Sequence, residues 1–259
     1  MKKNIISEFS LNKKVALVTG AGQGLGKWIS KGLANAGAIV VSTDINLEKA
    51  QETSKEIRDT KKDSFAIKLN VCDINSIKTV AEKVVERYGR VDILVNNAGI
   101  NIRKPIVEIN EQDFDSIVNV NFKGVYFTSQ IFAKEMMNLK KGKIINISSA
   151  AGILLRNTVP YSVYAATKAA VIMVTKAFAL EFAPHKICVN AVAPGYFETP
   201  LAEKALENKK IRNGILSFTP LNKIGRGEDL IGAVIFLASD ASNFITGQTI
   251  SVDGGRTIL

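Results

Sequence analysis

Seven short β-branched runs alternate with longer segments of helical period along the whole chain, and no other feature restricts the fold so strongly. The runs are residues 15–19, 39–44, 64–69, 93–96, 143–147, 187–192 and 249–252. Between them, apolar residues at helical spacing predict helices over 24–36, 47–60, 74–88, 111–139, 161–183 and 228–238. Apolar strands separated by helices imply a parallel sheet covered on both faces and joined by right-handed crossovers. No linker, repeat or low-complexity segment breaks the alternation. The 259 residues are therefore expected to form one α/β domain with a doubly wound, seven-stranded sheet. The expected strand order is 3-2-1-4-5-6-7, which brings the glycine and asparagine motifs to the carboxyl edge. The stretch 194–227 is too long for an ordinary connection. It is expected to be a largely irregular lid at about 195–222, with one short helix near 200–213.

A formal charge of +10 raises the question of a nucleic-acid partner. The cations, however, fall in scattered pairs such as Lys13-Lys14, Lys61-Lys62 and Lys140-Lys141, with no interleaved aromatic residues. That pattern is a solvated surface, so no nucleic acid is expected, while attraction for acidic small substrates stays open. No window holds 18 uninterrupted apolar residues, and residues 1–14 lack a leader-like apolar run, so no membrane partner is expected. Cys72 and Cys188 match no metal or redox spacing, which leaves no metal site and suggests reduced thiols in a cytoplasmic protein.

The segment "VALVTGAGQGLG" ends the first strand and opens the first helix. In a doubly wound sheet, such a turn holds a pyrophosphate against the free N–H groups and positive dipole end of the helix. Gly20, Gly24 and Gly26 give the spacing GxxxGxG, whereas GxGxxG starting at Gly20 would need a glycine at Leu25. The second strand ends at Asp44 in "VVSTDIN", where a carboxylate accepts hydrogen bonds from an adenosine ribose and repels a 2′-phosphate. Gln23 supplies no charge against that repulsion, so NAD(H) is expected in preference to NADP(H). A helix-capping role would also account for Asp44 taken alone.

In "NTVPYSVYAATK" two tyrosines precede one lysine. Tyr164 and Lys168 are an i, i+4 pair that shares one helical face, whereas Tyr161 has Ala165 in the equivalent place. A cation about 5 Å from a phenol favours the phenolate by roughly 3 kcal/mol at an effective dielectric of about 20, or about two pKa units. Tyr164 is therefore expected to titrate low enough to act as a general acid/base. A tyrosine in the core of an amphipathic helix is the alternative on this stretch alone.

Taken together, the chain resembles the classical short-chain dehydrogenase/reductase family over nearly its full length. The matching motifs are "TGAGQGLG", "NNAG" at 96–99, Asn121 in "NVNFKG", "ISS" at 147–149, Tyr164-x-x-x-Lys168, "PGYFET" from Pro194, and "VDGG" near the end. The resemblance implies a Rossmann-type fold. It also implies that Tyr164 is the acid/base and that Lys168 lowers its pKa and bonds the nicotinamide ribose. Ser149 would bond the reacting oxygen, and Asn121 would hold a water linking Lys168 to solvent. The implied cofactor contacts are Gly20, Gln23, Gly24, Leu25 and Gly26 in the first turn, Asp44, and Asn70 with Val71 after the third strand. Asn97, Ala98 and Gly99, the pair Tyr164 and Lys168, and finally Pro194, Gly195, Phe197 and Thr199 complete that set. The family further implies a homotetramer built through the helices at 111–139 and 161–183. One departure is the spacing: fourteen residues separate Ser149 from Tyr164, where the family has about a dozen.

"NNAGINIRKP" and "APGYFETP" look most like members that act on sugar acids and polyols, gluconate 5-dehydrogenases among them. Arg103 and Arg156 are candidate carboxylate ligands, and Tyr161 is a candidate shaper of the substrate pocket. A 3-oxoacyl-(acyl-carrier-protein) reductase is the alternative enzyme, against which Asp44 stands. A regulator that binds NAD(H) without turnover is a third reading, and it leaves an intact Ser149, Tyr164 and Lys168 without purpose.

Overall fold

The computed structural model describes residues 5–155 and 160–258. Seven parallel strands form one sheet: β1 (Val15–Thr19), β2 (Ile39–Asp44), β3 (Ser64–Lys68), β4 (Ile93–Asn96), β5 (Gly142–Ile147), β6 (Ile187–Pro194) and β7 (Thr249–Val252). Their order is β3-β2-β1-β4-β5-β6-β7, as the motif argument requires. Every recorded strand pairing in the sheet is parallel.

Successive strand residues point to opposite faces, so each strand feeds two cores. On β1, Ala16 and Val18 join one apolar cluster, while Val15 and Leu17 join the other. The first cluster takes Ile29 and Leu33 from α1 (Gly24–Asn35), Ile57 from α2 (Leu47–Asp59), and Leu230, Val234 and Leu237 from α9 (Gly227–Ala238). The second takes Ile77, Val80 and Val84 from α3 (Ile74–Tyr88), Phe132 and Met136 from α5 (Gly124–Leu139), and Phe178 from α6 (Ser162–Phe182). Each fully buried large aliphatic side chain contributes about 1.5–3 kcal/mol relative to exposure. A sheet buried on both faces explains why its strands read as continuous apolar runs.

Two sequence expectations need correction. The single helix over 111–139 is divided: α4 (Glu111–Val118) passes into a π turn at Asn119–Lys123 before α5 begins. The apolar period runs through the turn and hides it, since one extra residue per turn barely alters the pattern. The lid segment is also more ordered than expected. It contains α7 (Glu203–Glu207) and α8 (Lys209–Ser217), not one short helix. Asn208 separates the two, and its side chain caps α8 by accepting from the N–H groups of Lys210 and Ile211.

The segment Ser162–His185 is long and apolar enough to cross a bilayer by length and composition, with half of its apolar window buried. Its apolar residues have another use here. Val174, Phe178 and Phe182 pack against the sheet, while Lys168 is turned inward to the end of β5.

Candidate active site

The carboxyl ends of the central strands open onto a cavity of about 430 Å³. At one end lies the turn between β1 and α1. Gly20 and Gly24 adopt positive φ angles of 63° and 54°, which any other L-residue would enter under strain. Gln23, the residue before α1, makes no side-chain cap, so the first N–H groups of the helix are left for an anion. Gly20, Gln23, Gly24 and Leu25 line the cavity, as expected. Gly26 does not line it. A Cβ there would stand 2.0 Å from the Gly20 carbonyl oxygen, so its role is to let the helix approach the turn.

Asp44 ends β2 at the rim of this turn. One carboxylate oxygen accepts from the Gly22 N–H at 3.0 Å, the other from the Asn46 N–H at 2.9 Å. Gly22 escaped the sequence reading, although a Cβ on it would press to 2.9 Å from the Asp44 carboxylate. A second omission is Lys49, whose ammonium donates to Gln23 Oε1 at 2.8 Å. A cation therefore stands near a site where none was expected. Asn70 and Val71 line the cavity after β3, with Asn70 Oδ1 accepting from the Cys72 N–H.

Asn97, Ala98 and Gly99 follow β4 and also line the cavity. Asn97 binds the fold to itself: its side-chain nitrogen donates to the carbonyls of Thr19 and Gly20, both at 3.0 Å. Asn121 sits in the π turn, fully buried and outside the cavity lining. Its amide oxygen accepts from the Ile100 N–H at 2.8 Å, and its amide nitrogen donates to the Ile100 carbonyl at 2.9 Å. A Cβ at Gly99 would find Asn121 Oδ1 at 3.4 Å and the Lys168 ammonium at 3.5 Å, so the two groups flank one point.

Beyond them, β5 delivers two serines that do different work. Ser148 Oγ donates to the Lys168 backbone carbonyl at 2.7 Å and holds α6 against the strand. Ser149 Oγ accepts only from the nearby Ala151 N–H among the described bonds and lies beside the Tyr164 phenol. The added length between Ser149 and Tyr164 therefore does not change which serine faces the phenol. Tyr164 and Lys168 both line the cavity, with the ammonium 5.7 Å from the Tyr164 ring centroid.

The expected low pKa of Tyr164 needs correction. Burial pushes this phenol above its ordinary value, against a smaller lowering by the Ser149 hydroxyl and Arg103. Lys168 is not among the groups that lower it, and burial acts on the lysine as well. Its ammonium donates to the Ile147 carbonyl at 2.8 Å, and desolvation brings it down to about 8.

Pro194, Gly195, Phe197 and Thr199 line the cavity as well, Thr199 standing against Gly24 of the glycine turn, and so do the candidate substrate residues Arg103 and Tyr161. Arg156 lies outside the described residues. Burial, with the Tyr196 hydroxyl alongside, pushes Tyr161 up to about 12, while Arg256 and Arg103 act in the opposite direction. Tyr196 and Arg256 were both missed, although each adjoins a quoted motif: Tyr196 lies within "PGYFET", and Arg256 follows "VDGG" directly. Among the described residues, no group of three His, Cys, Asp or Glu side chains could hold a metal ion.

A family model described as enoyl-(acyl carrier protein) reductase matches residues 20–257. A 3-oxoacyl-(acyl-carrier-protein) reductase of Thermotoga maritima is 44% identical over 248 residues, spanning 96% of this chain and 99% of that protein. A 5-keto-D-gluconate 5-reductase of Escherichia coli K12 is 37% identical over 250 residues, spanning 96% and 98%. The crystal structure of a gluconate 5-dehydrogenase from Burkholderia cenocepacia, in complex with NADP and tartrate, has a TM-score of 0.95. That enzyme is 38% identical, over 99% of this chain and 100% of the other. The chain belongs to the short-chain dehydrogenase/reductase family. It is an oxidoreductase acting on alcohol and ketone groups.

The buried lysine makes stability depend on pH. An unfolded lysine keeps its proton to its ordinary 10.5, whereas folded Lys168 releases it from about 8. Between these values the unfolded chain binds more protons, so stability rises with pH. Above pH 10 the raised Tyr164 pKa reverses the trend, because the folded phenol keeps a proton that the unfolded chain loses. Urea denaturation should show the wild type gaining about 2 kcal/mol from pH 8 to 10 relative to Lys168→Met. Parallel profiles for the two proteins would refute this.

Proposed function

We propose that the protein is an NAD(H)-dependent dehydrogenase/reductase that interconverts a secondary alcohol and a ketone on a sugar acid or polyol. One observation carries the reading: Ser149, Tyr164 and Lys168 meet in the same cavity as a glycine turn edged by Asp44. The turn has room only for backbone at Gly26 and presents uncapped N–H groups, a donor set suited to a pyrophosphate. When bound, a nicotinamide cofactor supplies or takes the hydride. The chain's own residues then handle the proton and the developing charge. Tyr164 donates a proton to the carbonyl oxygen in reduction, or removes it from the hydroxyl in oxidation. Ser149 donates a hydrogen bond to the same oxygen and stabilises charge as it builds. Lys168 holds the cofactor ribose and keeps a positive charge below the phenol. Asn121 and the π turn fix the backbone beside Lys168 and orient its link to solvent.

Support for a polyol comes from Asn101, whose buried side-chain oxygen lacks a partner among the described residues and lines the cavity. An acceptor of this kind suits a hydroxyl group. The likeness to a 3-oxoacyl-(acyl-carrier-protein) reductase favours a second reading, reduction of an acyl thioester. A panel of sugar acids, polyols and acetoacetyl thioesters, each with both cofactors, separates the two readings. Turnover of any member also excludes a purely NAD(H)-sensing role.

The reading predicts a large loss when the phenol is removed. Tyr164→Phe should lower turnover at least about 10²-fold with cofactor binding retained, whereas Lys168→Met should weaken both. Tyr161→Phe should change mainly the apparent substrate affinity. Steady-state kinetics and cofactor titration check this, and a fully active Tyr164→Phe would sink the assignment.

Asp44 carries the cofactor preference. The carboxylate is fixed by two backbone N–H groups, and Lys49 offsets only part of its repulsion for a 2′-phosphate. The ratio of kcat/KM for NAD over NADP should exceed about tenfold in the wild type and fall toward one in Asp44→Ala. A wild-type preference for NADP would overturn the argument.

The homotetramer implied by the family remains part of this proposal. Tyr126 on α5 and Met173 and Leu180 on α6 are large apolar side chains left exposed, as a helix-to-helix subunit contact would use. Free thiols at Cys72 and Cys188 fit a cytoplasmic location. Light scattering at micromolar concentration should give four times the 28.1 kDa chain, and a monomer would refute the assembly.

A further inference from the structure

Arg256 is 5% exposed, and its Nη1 atom is buried with no hydrogen-bond partner among the described residues. A guanidinium does not shed its proton in a protein, so this charge persists wherever the chain buries it. No described carboxylate forms an ion pair with it. The nearby Asp253 is committed to the backbone turn, accepting from the N–H groups of Gly255 and Thr257 and from the Thr257 hydroxyl. The recorded support for the guanidinium is the Tyr196 ring, whose centroid lies 5.1 Å away.

The chain is shaped to bring this arginine inward. Gly254 and Gly255 have φ angles of 65° and 88°, and together they turn the backbone after β7 so that residue 256 faces the cavity. A Cβ on Gly255 would press against Pro220 at 3.0 Å, and the Leu221 N–H donates to the Gly254 carbonyl, so the lid segment holds the turn. Arg256 acts on Tyr161, and the Tyr161 ring stands edge-on to Tyr164 at 6.3 Å between centroids. The arginine thus belongs to the substrate end. Among the described lining residues that end holds Arg103, Lys168 and Arg256 and no carboxylate, while Asp44 lies at the glycine turn.

We infer that Arg256 binds the carboxylate of the substrate and selects sugar acids over neutral polyols. The inference rests on the sugar-acid reading above and adds the residue that would enforce it. A buried unpaired guanidinium is unfavourable in the free protein, and an incoming carboxylate relieves that by a charge-assisted, bidentate pair. A neutral polyol leaves the charge unpaired, so discrimination follows from what the wrong substrate fails to supply.

Gluconate and sorbitol test this, because they differ only in a carboxylate against a hydroxymethyl group. The wild type should oxidise gluconate with the higher kcat/KM. In Arg256→Met, which keeps the length and apolar stem, the gluconate-to-sorbitol ratio should fall about 10²-fold, mainly through the KM for gluconate. Retention of the ratio within about threefold, or an equal loss on both substrates, overturns the inference. Should Arg256→Met fail to fold, Arg256→Lys replaces it, since a point charge without the fork should lower the ratio about tenfold. Calorimetric titration of the NADH-loaded protein with gluconate and tartrate gives a readout independent of turnover. If the wild type oxidises neither compound but binds both through Arg256, the sugar-acid reading fails and the carboxylate site stands. If the loaded wild type binds no carboxylate, the site itself is refuted.

Discussion

An ammonium group held out of water at the end of β5 is the constraint on which the rest of the site depends. Lys168 is 4% exposed, and a charge so placed must be met by oriented dipoles or lose its proton. The strand end supplies the Ile147 carbonyl as acceptor. The next residue, Ser148, takes the Lys168 backbone carbonyl and fixes the helix at that height. Gly152 permits the approach, for a Cβ there would stand 2.6 Å from the Lys168 carbonyl carbon. On the other side, the π turn brings Asn121 to Gly99, which the same ammonium also flanks. Three elements distant in sequence are thus brought together around one cation. The phenol is placed as a consequence, one helical turn above it.

The same logic separates residues that meet ligands from residues that hold the edge of the sheet in shape. Asn96 donates to Ser129 and Asn146, and Asn146 in turn donates to Thr175, a buried chain of amides and hydroxyls that ties β4 and β5 to α5 and α6. Asn97 does the same between β4 and the end of β1. Both asparagines stand in one short motif, yet their side-chain amide nitrogens are spent on the protein. Such a network restricts its members to one geometry, even with the Asn96 amide oxygen left without a partner among the described residues, and a site handling hydride and proton together needs that order.

How much was legible in the sequence follows from where the physics is local. The strand order was legible, because β-branched runs and right-handed crossovers constrain it without reference to distant contacts. Tyr164 and Lys168 were legible because one helix sets their spacing. The π turn was not, since the contact that Asn121 makes from it reaches a loop twenty-one residues away in sequence. Neither was the raised pKa of Tyr164. A pairwise Coulomb argument counts the neighbouring lysine but cannot count the water removed from both groups. Lys49 escaped for a similar reason, its ammonium reaching Gln23 only once β2 and α2 fold against the first turn.

Arg256 shows the limit most sharply. In sequence it is one more cation among 34 Lys and Arg residues, most of which face water. Its burial depends on two left-handed glycines, a lid segment that clamps them, and a tyrosine ring beneath the guanidinium. A surplus of charge over the whole surface says little about a site. A charge that the fold buries and leaves unpaired says a good deal, because folding alone does not compensate it. The charged side chains lining the cavity are therefore divided: a carboxylate beside the N–H groups of the glycine turn, and cations without a carboxylate partner beside the phenol. In a low-dielectric cleft that asymmetry orients a molecule before any hydrogen bond forms. Under the inference that Arg256 binds the substrate carboxylate, an anionic group at that end would place the remainder of a short substrate against Ser149 and Tyr164.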